Sequence, residues 1–297
     1  ILGSGAAVPT SRRNPSGQYI QCRNRHFLID CGEGTQMQMR KFGVSFNRIT
    51  HVFISHLHGD HFFGLVGLLS TMHLMGRVKP IHIYGPVGLK GIIQLQLEVA
   101  KGKLAYDLIF REIEPEESSV LFEDEKVKVS CFPLVHKIPT SGFRVEEKER
   151  ERKLLVKKAK ADGIKLEYFH RLKKGEDILE GGKTISHLDY TESAERPKSY
   201  AYCSDTALSD GTVSAVEGVN FLYHEATFVE VLRDRAVATK HSTAKDAAEV
   251  AKRAQVGKLL MGHLSARYDS GEQHVEEARE VFQNSECVED GQVIEIA

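Results

Sequence analysis

Short apolar runs bounded by Gly, Asp or Pro recur along the chain and predict strands at Tyr19–Cys22, His26–Ile29, His51–Ile54, Ile81–Tyr84, Val127–Phe132, Ser199–Cys203, Phe221–Tyr223 and Lys258–Met261. Between several of them the apolar spacing changes to that of a helix, most clearly over Phe62–Leu74, Val87–Val99 and Thr243–Ala254, the last opening with Ser242-Thr243 as an N-cap. Early strands follow one another through short turns and later ones alternate with helices. That order predicts an α/β fold of two sheets packed face to face with helices outside.

One stretch breaks the pattern. Glu146–Ala161 is almost all charged and dense in helix formers, with Leu154, Leu155 and Val156 as its apolar cluster, so it predicts a helix that buries little. Asp162-Gly163 should end it, an extended segment Ile164–Leu172 follows, and Lys173-Lys174-Gly175 reads as a return turn. The whole reads as an arm, Glu147–Glu176, inserted in a single domain spanning residues 1–297. Between Arg144 and Lys174 there are twelve Lys/Arg against six Asp/Glu, a local +6, so the remainder carries −7 of the net −1. A basic segment on an acidic body suits contact with a polyanion, and Lys153, Lys157 and Lys158 are candidates for it.

Composition narrows the class further. The chain is 41% apolar and 27% charged, and no apolar run approaches the ~18 residues that would span a bilayer, which excludes a membrane protein. The first residues, Ile1-Leu2-Gly3-Ser4-Gly5, lack the basic and apolar regions of a signal peptide, and without an initiator Met a few residues are expected ahead of them. Cys22, Cys31, Cys131, Cys203 and Cys287 are odd in number, widely spaced and free of CxxC pairs. Reduced thiols in the cytoplasm are the expectation.

Candidate chemistry concentrates in His56-Leu57-His58-Gly59-Asp60-His61, directly after the strand His51–Ile54. Three imidazoles and a carboxylate within six residues are donors suited to zinc, and a strand end aims them into one pocket. Alternate residues His56 and His58 can point one way while Asp60 and His61 reach a second site on the next turn. Further ligands should also follow strands: His136 after Val127–Phe132, Asp205 after Ser199–Cys203 and His263 after Lys258–Met261.

In this order and spacing the donors resemble the metallo-β-lactamase superfamily over nearly the whole chain. The resemblance implies an αββα sandwich with two zinc ions at its edge, one held by His56, His58 and His136, the other by Asp60, His61 and His263, with Asp205 bridging them. Zinc lowers the pKa of bound water to about 7, and a pair of metals suits an in-line displacement at a phosphodiester. Manganese in place of zinc, and β-lactam or thioester substrates, stay open at this point.

Further strings narrow the branch. The opening Gly3-Ser4-Gly5 lacks the third glycine of a dinucleotide loop. With Pro9-Thr10-Ser11-Arg12-Arg13-Asn14, Asp30-Cys31-Gly32-Glu33-Gly34-Thr35-Gln36, His224-Glu225-Ala226-Thr227, His241-Ser242-Thr243 and His263-Leu264-Ser265-Ala266-Arg267-Tyr268, it is similar to the motifs of the ribonuclease Z family. Asp30 is a candidate to orient a ligand histidine from behind. Glu225 and His241 read as a carboxylate orienting a proton donor, so Glu225, His241 and Asp60 are the candidate catalytic residues. Arg267 and Ser265, with Arg13 and Asn14, are candidates for phosphate or RNA contact. The family implies an arm between His136 and Asp205 that grips tRNA, a homodimer in which one subunit's arm serves the other's active site, and hydrolysis 3′ of the discriminator nucleotide of precursor tRNA. RNA rather than DNA is the expected partner. The family arm commonly holds a Gly-Pro pair in its return segment; here Ile164-Lys165-Leu166-Glu167-Tyr168-Phe169-His170 has neither. Another phosphodiesterase of this fold acting on a small substrate is the competing reading.

Overall fold

The computed structural model describes residues 1–114 and 116–296. Its body, residues 1–146 with 199 onward, is a sandwich of two sheets. The first sheet has five strands in the order Gly17–Cys22, Arg25–Cys31, His51–Phe53, Ile81–Pro86 and Leu108–Ile113, an antiparallel pair followed by parallel neighbours. The second has seven, in the order Ser285–Cys287, Lys258–Gly262, Phe221–Glu225, Ser199–Cys203, Thr140–Glu147, Val127–Leu134 and Ser119–Glu123.

Alternation along the strands explains the layers. Phe27, Ile29 and Phe53 of the first sheet meet Val129, Phe143, Tyr202, Tyr223 and Leu260 of the second in a core between the sheets. Their neighbours Leu28, Val52 and Ile54 point the other way, onto Leu65, Leu68, Leu69, Met72, Leu89 and Ile93 of the helices Leu65–Leu74 and Leu89–Val99. Ala201, Leu222, Leu259 and Met261 likewise meet Ala244, Ala247, Ala248 and Ala251 of the helix Ala244–Arg253. Strands buried on both faces must be apolar at every position, which is why they read as runs. The architecture is the predicted αββα sandwich.

All eight predicted strands are present, and the predicted helices differ in detail. Phe62–Leu74 is two pieces, Gly59–Phe62 and Leu65–Leu74. They part at Gly64, where a Cβ would meet the Gly32 carbonyl oxygen at 2.1 Å. Thr243 alone caps the later helix, through a reciprocal pair of bonds with Asp246. The strands Thr140–Glu147, Leu108–Ile113 and Ser119–Glu123 went unpredicted. Thr140-Ser141-Gly142 opens the first of these with residues that read as a turn, although Thr140 and Ser141 are buried.

Residues 147–198 form a separate compact unit. It is longer than the predicted arm, and its elements are shorter. The expected helix Glu146–Ala161 is a helix only over Val156–Ala161, preceded by Lys153–Leu154 paired antiparallel with Thr191–Glu192. In place of an extended Ile164–Leu172 there is a 3-10 turn at Leu166–Tyr168 and a helix Phe169–Lys173. The anchors are Ala159, Leu172 and Ile178, all buried, while Val156 is 44% exposed. Gly163 does end the first helix, at φ 71°. Over residues 147–198 there are fourteen Lys/Arg against eleven Asp/Glu, so the acidic second half cuts the excess to +3. Lys153 pairs with Glu192 at 3.2 Å and Lys158 donates to the Asp189 carbonyl oxygen at 2.9 Å, while Lys157 is exposed.

Asp290 ties distant parts of the body together. Its Oδ1 accepts from Ser4 N and Oγ at 3.0 and 2.8 Å, and its Oδ2 from Asn14 N and Nδ2 and Gln38 Nε2 at 2.8, 3.1 and 3.0 Å. Asp290→Ala strands these donors and should cost about 2–4 kcal/mol. Urea denaturation would show the lowered midpoint and hydrogen exchange the lost protection of the Ser4 and Asn14 amides; an unchanged midpoint would contradict this role.

Candidate metal centre

Strand ends build the site. His56, His58, Asp60 and His61 follow His51–Phe53; His136, Asp205 and His263 follow Val127–Leu134, Ser199–Cys203 and Lys258–Gly262. Their side chains converge at one rim of the sandwich, as the carboxyl ends of strands in open sheets commonly do. Three residues turn there through left-handed backbone, Asp30, Asp205 and His263, at φ 55°, 58° and 55°. Non-glycine residues held in that region store strain, which clusters at functional sites.

The seven predicted ligands fall into two sets, and Asp205 and His263 form a further overlapping cluster with His241. Atoms of His56, His58, His136 and Asp205 lie within 4.8 Å of one another, and so do those of Asp60, His61 and His263. Asp205 faces both. Its Oδ2 is 3.6 Å from Nε2 of both His56 and His136, and its Oδ1 is 3.1 Å from Nε2 of both His61 and His263. Asp60 Oδ2 closes the second set, 3.5 Å from the same two nitrogens. His58 uses Nδ1, at 3.0 Å from His56 Nε2 and 3.3 Å from His136 Nε2.

These residues fit a metal. The edge of a tetrahedron with bonds of ~2.0–2.1 Å is roughly 3.3–3.4 Å, and the separations in the first set straddle it. Three ring nitrogens pointing at one another cannot all be satisfied by mutual hydrogen bonds. In the second set His61 Nε2 and His263 Nε2 are buried without a hydrogen-bond partner. Both sets are hard and borderline donors of the kind a divalent cation takes.

The far nitrogens of the imidazoles are fixed from behind. His61 Nδ1 meets Asp30 Oδ2 at 2.7 Å, and Asp30 also accepts from Ser55 N, Ser55 Oγ and Tyr202 Oη at 2.8, 2.9 and 2.7 Å. His136 Nδ1 meets the Lys240 carbonyl at 3.1 Å, and His263 Nδ1 meets Thr227 Oγ1 at 3.0 Å. Ala7 N–H donates to Asp60 Oδ2 at 2.8 Å. Gly32 belongs to this support, because a Cβ there would meet the Asp60 carbonyl oxygen at 2.3 Å. Such partners set tautomer and ring orientation.

Beside the donors stands the predicted pair. His241 Nδ1 meets Glu225 Oε1 at 2.7 Å, which turns Nε2 toward Asp205 Oδ2, 3.9 Å away. Glu225 is fully buried and also accepts from Thr206 N, Thr227 N and Thr227 Oγ1 at 2.8, 3.1 and 2.6 Å. Burial acts to lower the His241 pKa, and the Glu225 carboxylate overrides it and lifts the imidazole to about 9. His224, by contrast, is wholly buried with Nδ1 on the Glu225 carbonyl oxygen, a core position. Cys31, Cys131, Cys203 and Cys287 are thiols, and none of the five cysteines belongs to either donor set.

A cleft of about 730 Å³ exposes His58, Asp60, Asp205, His241 and His263. Ser265 and Arg267 line it, with Arg267 Nη1 donating to Ser265 Oγ at 3.0 Å. Arg13 and Asn14 do not. Arg13 is 7% exposed with Nη1 on the Tyr268 carbonyl oxygen at 3.0 Å, and Asn14 is held by Asp290, so both support the site's loops rather than face its opening. Thr227 and Lys240 were missed by sequence reasoning. A threonine inside the His-Glu-Ala-Thr string was the available signal for the first; nothing local marked a main-chain carbonyl as the second.

The fold and the paired donor sets define a divalent-metal site of the metallo-β-lactamase class. The structure superposes on human tRNase Z, short form, with a TM-score of 0.73 at 30% identity, covering 100% of this chain and 98% of that one. It also superposes on the metallo-β-lactamase fold protein YhfI from Bacillus subtilis, with a TM-score of 0.67 at 18% identity, covering 98% and 95%. A family model described as Anti-Pycsar protein Apyc1 matches residues 1–149. Proteins named Ribonuclease Z from Bacteroides fragilis and Cytophaga hutchinsonii are 42% and 43% identical, each over 96% of this chain and over 94% and 91% of their own lengths. The chain belongs to the ribonuclease Z family.

Elemental analysis of purified, active protein should return about two transition-metal ions per chain, because seven donors exceed one tetrahedral ion. Asp205→Ala should lower that content and abolish activity more completely than any single histidine change. One ion or none in active wild-type protein, or activity surviving the substitution, would contradict the shared role of Asp205.

Proposed function

We propose that this chain is an endoribonuclease that removes the 3′ trailer of precursor tRNA, hydrolysing the phosphodiester 3′ of the discriminator nucleotide and leaving a 3′-hydroxyl on the tRNA. The names of its relatives, Ribonuclease Z and tRNase Z, supply the substrate class. The observation that carries the reading is the Glu225–His241 pair at the mouth of the metal centre. A proton donor there is needed only if the departing oxygen is basic, as a ribose 3′-oxygen is.

His56, His58 and His136 would hold one zinc ion and Asp60, His61 and His263 the other, with Asp205 shared; manganese could fill the same oxygen and nitrogen set. When bound, such ions acidify water to a pKa near 7 and neutralise charge on the phosphoryl oxygens. Arg267, steadied by Ser265, would take a phosphate oxygen with its guanidinium. His241 would hand its Nε2 proton to the leaving 3′-oxygen, and Glu225 would keep the imidazole oriented and charged.

The unit 147–198 would grip the substrate outside the reacting centre, with Lys153, Lys157 and Lys158 toward the RNA backbone. We further propose a cytoplasmic homodimer in which one subunit's unit serves the other's active site; the thiols of Cys31, Cys131, Cys203 and Cys287 suit that compartment. A phosphodiesterase acting on a small substrate would leave this unit without a task.

Nitrophenolate leaves without a proton, so His241→Ala should slow precursor tRNA cleavage ~10²–10⁴-fold while nitrophenyl phosphodiester turnover falls by only a few-fold. Glu225→Gln should show the same asymmetry more weakly. Equal loss of both activities at unchanged metal content would remove His241 as proton donor. Excision of the whole unit is feasible because Glu147 N donates to the Lys198 carbonyl at 2.8 Å, so its ends meet. Replacing residues 147–198 by a two-residue Asn-Gly turn between the paired Glu146 and Ser199 should raise KM for precursor tRNA at least about tenfold and leave the small diester alone, since only a long substrate uses remote binding energy. Equal loss on both substrates would make the unit structural.

A further inference from the structure

Two residues of the cleft wall have no task in the reaction as described. Phe228 and Arg235 line the same cleft as His241 and Asp205. The Phe228 ring stands edge-on to the His241 imidazole, centroids 6.2 Å apart, and the Arg235 guanidinium lies over the Phe228 ring at 6.0 Å. The helix Arg233–Thr239 leads directly to His241, whose N–H bonds the Ala236 carbonyl at 2.9 Å. Arg235 and Thr239, one turn apart, face the cleft, while Ala236 between them is buried.

The neighbouring arginine shows what is unusual. Arg233 is consumed by Glu230 at 2.5 Å and Asp246 at 3.0 Å. Arg235 is exposed and makes no ion pair among the described residues. It shares the cleft with Asp60, Asp205 and His263, residues that would hold the divalent cations to which a substrate phosphate is drawn. Its planar fork matches phosphate and stacks on aromatic or base faces, and no carboxylate among the described residues occupies it.

The position of His241 assigns the direction of the strand. Its proton goes to the ribose 3′-oxygen of the discriminator nucleotide, so the wall continuous with His241 flanks the tRNA side of the cut, and Ser265 with Arg267 bounds the cleft elsewhere. We infer that Arg235 is a specificity-determining residue that binds the phosphate on the 5′ side of the discriminator nucleotide, its guanidinium braced on Phe228 so that the discriminator ribose is presented to His241. This rests on the proposed tRNA 3′-processing activity.

The test is a cycle between protein and substrate. Metal-loaded wild type and Arg235→Ala would be compared on precursor tRNA with a normal linkage, and with a neutral methylphosphonate, 5′ of the discriminator. Arg235→Ala should lower kcat/KM about tenfold on the normal substrate, the loss expected for one charge-assisted contact, and should reduce the slope of log affinity against log salt by about 0.7. The methylphosphonate should cost wild type a similar factor and the variant nothing more, and Arg235→Lys should restore the salt slope. Independent, multiplying losses, or an unchanged salt slope, would overturn the assignment even though precursor tRNA is cut. Failure of wild type to cut the normal substrate would overturn the underlying activity and this contact with it.

Discussion

The structure depends on one carboxylate facing two ways. Asp205 turns one oxygen to His56 and His136 and the other to His61 and His263. To do so it must leave the strand Ser199–Cys203 through left-handed backbone, and the donors on either side must arrive from three other strand ends at matching height. A shift of one residue in any of these strands would turn its side chains to the opposite face. The sandwich is therefore more than a scaffold: strand register and the two donor sets are one constraint.

A second layer makes that constraint durable. Asp30 and Glu225 are wholly buried carboxylates, one behind each side of the centre. Isolated charges there would be costly, and each is instead satisfied by four donors, including an imidazole. The two have different outcomes. Asp30 holds His61, whose other nitrogen points into the donor set, whereas Glu225 holds His241, whose other nitrogen faces the open cleft. One arrangement fixes a metal ligand and the other charges a proton donor.

Much of this was legible in the chain. The eight strands were readable as short apolar runs where both faces are buried, as in Arg25–Cys31, or as alternation where one face is more open, as in Val127–Leu134, and the donors because each follows such a segment. What escaped was set by tertiary contact. Thr140-Ser141-Gly142 looks like a turn and opens a central strand because its small polar side chains are enclosed by neighbours. Gly64 lies between two helical pieces at a point where the Gly32 backbone leaves no room for a Cβ, a contact that local sequence does not reveal. Arg13 and Asn14 sit in a motif that reads as phosphate-binding, yet their partners, the Tyr268 carbonyl and Asp290, lie more than 250 positions away in sequence. The charged stretch after Glu146 scored as one long helix on composition, but Ala159, Leu172 and Ile178 fold it into short pieces around a small core. Arg235 was invisible because only the fold brings it beside Phe228 and His241.

The account stands most directly on where and how the chain cuts. Metal-loaded protein would be incubated with a precursor tRNA carrying a 3′ trailer, and both new ends mapped to the nucleotide and identified chemically. The account predicts a single cut immediately 3′ of the discriminator, with a 3′-hydroxyl on the tRNA and a 5′-phosphate on the trailer. A cut elsewhere, or a 3′-phosphate or 2′,3′-cyclic phosphate on the tRNA, would contradict it.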